Sequence, residues 1–343
     1  MISILDILKD KEFREYIEKH LSTKNRDYVL PTIIPPLFKY SRFSNYVVDN
    51  LKTNSFSLSL IATFNDCYDS NISFGNIKAI AKEEYEMDKR IAEAAGYKPS
   101  ISIEQRIEHI MKEQKEYAGF CDDSYCFCLS EKNDSTLMWS HYADNNRGIC
   151  VEYDFEKIKE NPLYFCLFPV CYTKEPISVY DFFREDEKLS SIELGVLMSI
   201  LNKASCWEYE KEWRLVLLNQ NIGKHKVKKY VPVNNKMEAK SIILGHNFLD
   251  NFIQELYKDD VSGAKQPFEL FQEIADNVKT KKIPLYQITS VKNSFIQNPK
   301  TQLNIDFILN FVKKNIADGH FTLSNRNYLY ISYWEKLKDG QLS

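Results

Sequence analysis

With 343 residues, 45 of them basic and 48 acidic, the chain carries a formal net charge of −3 and intersperses the two signs. That pattern excludes a global field for duplex nucleic acid or an anionic membrane surface, and no apolar run approaches the roughly 18 residues of a membrane helix, so a cytoplasmic protein without a membrane partner is expected. Glycine occurs only ten times against a usual share of about 7%, and neither G-x-G-x-x-G nor G-x-x-x-x-G-K-[ST] is present; a bound nucleotide must be held largely by side chains.

The opening SILDILKDKEFREYIEKH sets Ile4, Leu5, Leu8, Tyr16 and Ile17 at helical spacing among charges, which predicts a surface helix over about residues 4–20 rather than a secretory core. Pro31, Pro35 and Pro36 then forbid helix and leave LFKY as a short extended piece. SFSLSLIA, residues 55–62, alternates polar and apolar groups as a half-buried strand does, and FNDCYDS closes it with Asn65 and Asp66 as turn formers. Two helices follow, one over about 76–95 and one opening at SIEQ, where Ser102 and Gln105 make a capping box. Together they read as a helical insert at about 76–118.

From residue 124 the character turns to β: YCFCLS, GICVEYD, LYFCLFPVCY, WRLVLL, KKYVPV and SIILG are short, aromatic or β-branched, and bounded by turn signals. One helix, about 187–203, interrupts them, and the basic run KHKVKK at 224–229 reads as a solvated hairpin. Beyond 247, helices are predicted near 249–258, 265–278 and 303–317, with extended pieces at IPLYQIT and NYLYISYW. This order describes an α+β protein with a mixed, mostly antiparallel sheet, not alternating βαβ units. It divides into an N-terminal helix over 1–30, an α+β core over 31–246 and a helical C-terminal extension over 247–343 whose helices offer a surface to a partner protein.

The eight cysteines include no C-x-x-C pair, so no metal is expected, and Cys126 with Cys128 reads as core packing on one strand face. Three other stretches carry chemistry. In CWEYEKEWRLVLL, a strand would project Glu208, Glu210, Glu212 and Arg214 from one face. An unpaired ionised carboxylate costs several kcal/mol to bury, so that face meets water, cations or a polar ligand; a solvated edge strand and a polar cleft both fit, and a helix stacking Glu208 on Glu212 remains open. In LMWSHYADNNRG, Tyr142 offers a stacking face, and Ser140 and His141 offer donors or acceptors, although an aromatic core plug fits the same letters. LFKYSRF gathers Lys39, Tyr40 and Arg42, and the arginine fork suits phosphate or carboxylate.

Taken together, FKYSR, FNDCYD, CFCLSEKNDSTLMWSHYADNNRGICVEYD, WEYEKEWRLV and SIILG resemble a bacterial family known as domain-of-unknown-function family 2971. Its members share K-Y-R, F-N-D-P, M-W-x-H-Y-A-D-x-H-x-G and W-x-Y-E-x-E-[WY]-R in that order, and the resemblance spans about residues 37–245. The family in turn resembles ADP-ribosyltransferases, which implies a bent sheet holding NAD, consumed as substrate, in its cleft. Under that resemblance Tyr40 and Arg42 match the first element, Ser140, His141 and Tyr142 the second, and Glu210 with Glu212 the third. Two departures stand out: F-N-D-P is F-N-D-C here, and K-Y-R becomes K-Y-S-R, so that either Ser41 replaces the arginine or Arg42 is shifted by one, a slip that turns a strand side chain to the opposite face.

Cleaving the nicotinamide–ribose bond develops an oxocarbenium-like cation that a fixed carboxylate stabilises. The resemblance assigns this to Glu212, with Glu210 orienting the acceptor or acting as base, Tyr142 stacking on nicotinamide, and Arg42 or Arg214 meeting the pyrophosphate. The implied function is NAD-consuming ADP-ribosyl transfer to a macromolecular acceptor, or NAD hydrolysis, as a toxin or phage-defence effector. Two rivals use the same letters: a non-catalytic module sensing a nucleotide or nucleic acid, and a metal-dependent hydrolase or nuclease with Glu208, Glu210 and Glu212 as ligands.

Overall fold

A computed structural model describes residues 11–155, 166–180, 192–218, 230–234, 237–256, 261–290 and 297–317. They fall into two compact units, one within Met1–Thr32, Leu58–Phe127 and Glu160–Val231, the other within Ile33–Ser57, Cys128–Lys159 and Pro232–Ser343. Helices and strands mix in both, and the strands pair mostly antiparallel, the α+β class that the order of elements predicted.

In chain order, α1 (Lys11–Lys24) is followed by β1 (Leu37–Ser41), which starts immediately after the prolines. Helix α2 (Asn45–Thr53) ends where Asn54 turns left-handed, at φ 52°, and returns its amide to the Asn50 carbonyl, a C-cap suited to asparagine. Strand β2 (Ser55–Leu60) leads to α3 (Ile77–Ala94), capped by the Asn76 side chain accepting from the Ala79 amide. Helix α4 (Ile103–Asp122) opens with the predicted box complete: Ser102 Oγ accepts the Gln105 amide and Gln105 Oε1 accepts the Ser102 amide. Then come β3 (Tyr125–Ser130), α5 (Thr136–Tyr142), β4 (Ile149–Tyr153), β5 (Leu167–Pro169), β6 (Cys171–Thr173), α6 (Ile192–Ile200), β7 (Asn202–Ala204) and β8 (Glu212–Leu217). The remainder comprises β9 (Tyr230–Asn234), β10 (Ala239–Leu244), α7 (Phe248–Leu256), α8 (Val261–Lys281), β11 (Leu285–Ser290), β12 (Gln297–Gln302) and α9 (Ile305–Ala317). The expected hairpin at 224–229 and the extended piece NYLYISYW lie outside the described residues.

In the first unit, β5 lies antiparallel on β8, with Phe168 opposite Arg214, and β6 runs parallel to β7, with Tyr172 opposite Lys203. The segment around α1 straps this region. Arg14 donates to the Leu167 carbonyl and sits over the Phe168 ring, the Tyr28 hydroxyl donates to Pro169 O, and Asn25 Nδ2 donates to Tyr172 O. Helix α4 packs on α6 and on α3, the latter contact joined by Arg106 to Glu84 and Asp88.

In the second unit the strand order is β12-β11-β10-β4-β1-β3, with β10 and β11 parallel and the other pairs antiparallel. Beyond 247, where helices and an extended piece at IPLYQIT are expected, β11 forms at that piece and β12 joins the sheet beside it. Helices α7 and α8 meet through Phe248, Phe252 and Phe271.

The DNNRG letters build a turn in which Asp144, Asn145 and Asn146 are all left-handed, at φ 49°, 54° and 65°, a conformation that Asn and Asp tolerate better than most residues. The turn brings backbone against backbone: Gly245 N donates to Gly148 O, and Asn247 N donates to Asn146 O, both at 2.9 Å. A Cβ on Gly148 would lie 2.2 Å from Ser41 O and 2.9 Å from Ala143 O. Gly148→Ala is therefore expected to cost about 2–3 kcal/mol through forced backbone displacement, measured by chemical denaturation. Gly119→Ala is the control, since its Cβ meets nothing within 4 Å in α4 and removing a helical glycine should stabilise by up to about 1 kcal/mol.

Candidate functional site

The acidic stretch of the first unit is not the continuous strand that alternation suggested. Residues 205–210 form a 3₁₀ turn, Lys211 takes a left-handed conformation at φ 44°, and β8 begins only at Glu212. The 3₁₀ turn and the reversal that ends it break the period of two, so Glu208, Glu210, Glu212 and Arg214 do not line one strand face. Glu208 stays in solvent, paired with Lys211 at 3.0 Å. Glu210 and Glu212 turn inward, 1% and 5% exposed.

What receives them is Lys203 on β7, whose Nζ lies 2.6 Å from Glu210 Oε2, 2.8 Å from Glu212 Oε2 and 3.4 Å from Asp69 Oδ2. Arg214, 0% exposed, faces two carboxylates with its fork. Its Nε and Nη2 donate to Glu212 at 2.8 and 3.1 Å, and Nη1 and Nη2 donate to the two Asp69 oxygens at 2.7 and 2.6 Å. Nη1 also donates to Ser70 Oγ and the Ile200 carbonyl. Such charge-assisted, bidentate bonds are the strong kind. Phe64 lies 5.5 Å from the guanidinium, and Trp207 lies 5.2 Å from Lys203 Nζ.

Three carboxylates face two cations here, leaving one formal negative charge in excess. Burial pushes the Glu212 carboxyl up, but the Arg214 and then the Lys203 charges outweigh it and hold the group well below the usual carboxylate range. Burial pulls Lys203 down, and Glu212, then Asp69 and Glu210, reverse this and hold it above its ordinary value despite the opposing charge of Arg214. Both groups are ionised at neutral pH. A lowered carboxyl stabilises the fold above its ordinary value of 4.5 and ceases to do so as pH falls below that; a raised lysine stabilises it below 10.5 and ceases to do so as pH rises through the higher folded value. Denaturation between pH 4.5 and about 3 should therefore show stability falling by up to about 1.4 kcal/mol per pH unit per group, with a shallower fall in Glu212→Gln.

Tyr172, opposite Lys203 in the ladder, completes the surroundings, its hydroxyl oxygen accepting the Glu212 amide at 2.8 Å. Lys203, Asp69 and Tyr172 were not singled out by sequence reasoning. Asp69 stands in the quoted FNDCYD motif, and Lys203 interrupts the apolar run before SCW, a position where a lysine needs buried counter-charges.

The remaining candidates lie in the second unit. Tyr40 is 5% exposed, its hydroxyl donates to Lys132 O at 2.9 Å, and its ring meets Trp139 edge-on at 5.1 Å. Trp139 Nε1 donates to Asn133 O at 2.8 Å, so both rings pin the loop after β3. Arg42 is exposed just past the end of β1, whose last residue is the half-buried Ser41. Ser140 is half-buried, His141 exposed and Tyr142 half-buried at the end of α5, with the last two rings 6.2 Å apart and nearly perpendicular.

Residues 138–215 match the family model described as "Protein of unknown function (DUF2971)". No curated protein and no solved structure matches the chain. The matched segment supplies Tyr172, Lys203, Glu210, Glu212 and Arg214, while Asp69 reaches them from outside it. Among the described residues no group of three or more His, Cys, Asp or Glu is arranged to hold a metal ion, the buried carboxylates being directed at Lys203 and Arg214. No helix among those residues is long and apolar enough to cross a membrane.

Proposed function

We propose that the chain consumes NAD, cleaving its nicotinamide–ribose bond as an ADP-ribosyltransferase or NAD glycohydrolase. Glu212 carries the reading: it is an ionised carboxylate, fixed in place before any substrate arrives, in a cluster with negative charge in excess. A charge already oriented stabilises a developing oxocarbenium ion without reorganising. Glu210 supplies a second carboxylate 2.6 Å from the same lysine, suited to orienting the acceptor. Arg214 and Lys203 act through Glu212 as positioning residues. With its donors directed at Glu212, Asp69, Ser70 and Ile200, Arg214 serves the protein rather than the pyrophosphate. Loss of cellular NAD by such chemistry is toxic, which suits a toxin or phage-defence effector.

The experiment is chromatography of nicotinamide released from NAD by the purified protein, with mass spectrometry for ADP-ribosylated protein. Release with free ADP-ribose identifies a glycohydrolase, and modified protein identifies a transferase. The same burial favours a second reading, a non-catalytic binding module in which the cluster is an internal ion network; saturable NAD binding without nicotinamide release selects it.

A further inference from the structure

We infer that the Tyr172 hydroxyl is a substrate-facing donor that meets a ribosyl hydroxyl of the bound molecule, an assignment that rests on the NAD reading above. A phenol has one proton to donate and lone pairs to accept with. The accepting side is occupied, because the Glu212 amide donates to the Tyr172 oxygen at 2.8 Å, and this bond fixes where the phenol sits. The donating side is open: among the described residues no acceptor takes the Tyr172 proton, although the group stands beside a densely bonded cluster. The residue is half-buried, and the bond between its hydroxyl and the Glu212 amide is only partly buried.

Two anchors hold that position. The Tyr172 carbonyl accepts from Asn25 Nδ2 at 3.0 Å, and the ladder places the residue opposite Lys203, which grips Glu210 and Glu212. Burial, then the Glu212 charge, raises the phenol well above its ordinary value, so the proton stays on and serves as a donor. The cluster's excess negative charge disfavours a phosphate or carboxylate oxygen as the partner. A sugar hydroxyl both accepts and donates, and it fits a donating phenol set among accepting carboxylates.

The test is calorimetric binding of NAD, and of NAD lacking the 2′- or the 3′-hydroxyl on its nicotinamide ribose, to wild type and Tyr172→Phe, with nicotinamide release assayed alongside. The expected result is about tenfold weaker NAD binding by the variant and no difference between the proteins for the analogue that lacks the partner hydroxyl. Equal weakening for NAD and both analogues overturns the assignment, because it marks only the lost acceptor for the Glu212 amide. Unaltered NAD binding by Tyr172→Phe also overturns it and leaves the NAD reading standing. A wild type that binds none of the three and releases no nicotinamide overturns both.

Discussion

Lys203→Met is expected to cost about 3–5 kcal/mol of folding free energy or to leave no folded protein, whereas Glu212→Gln costs less than half as much. The asymmetry follows from the count of charges. Asp69, Glu210 and Glu212 face Lys203 and Arg214 with side chains no more than 5% exposed. Removing the lysine leaves three buried carboxylates against one guanidinium, so that two negative charges lack compensation in a low-dielectric site. Removing the charge of Glu212 leaves two carboxylates against two cations, a balanced set, and the glutamine still offers Arg214 an acceptor. Breaking a buried pair is costly because of the ion left behind, not because the pair itself was worth that much. Lys203→Arg, which keeps the charge but not the shape, should fall between the two. The measurement is urea denaturation with linear extrapolation, in which a change of midpoint at constant slope reports stability. Equal costs for the two variants, or the reverse order, would show that the excess negative charge is not what the cluster must manage.

Local chemistry was legible in the letters where a few neighbouring residues decide the structure. Ser102 and Gln105 announced a helix start because both halves of the capping box lie within four residues. Strand β1 followed from the prolines before it, β2 from alternation, and β3 and β4 from short aromatic or β-branched runs bounded by turn residues. The acidic stretch misled for a definite reason: the reversal at Lys211 puts a non-glycine residue at positive φ, an uncommon choice that leaves no mark on the sequence pattern. Strand β12, QNPKTQ, is polar and contains proline, and it exists through pairing with β11, a tertiary effect that overrides propensity. The division into units escaped a linear reading because each unit gathers three separate stretches of chain. The same holds for the cluster. Glu210, Glu212 and Arg214 lie together in one motif, but Asp69 meets Arg214 across 145 residues, and nothing in either local pattern records that meeting. Tyr40 and Trp139, read as ligand-facing and plug-like, pack on each other through contacts equally invisible in the letters.

Glu212→Gln is expected to lower nicotinamide release from NAD by about 10²–10⁴-fold, the range for removing a charge or donor aimed at the transition state. The substitution keeps shape and hydrogen-bonding capacity, and the charge count above predicts that it folds, so lost activity cannot be assigned to lost structure if the midpoint of denaturation is measured on the same sample. Arg214→Lys should lose less, because a lysine retains the positive charge while giving up the two-pronged grip on Glu212 and Asp69; its effect should appear in kcat more than in KM, as expected for a group that orients a reacting carboxylate without touching substrate. Glu208→Gln is the contrast within the same motif, since that side chain is 58% exposed and pairs with Lys211, and its rate should match wild type. The pH profile adds an independent check. With Glu212 held below 4.5 by Arg214 and Lys203, its ionisation should not produce the acid limb of kcat/KM above that pH, and any limb near neutrality must belong to another group. A Glu212→Gln protein that is folded yet retains more than about a tenth of the wild-type rate would place the reacting carboxylate elsewhere and leave this cluster as internal scaffolding.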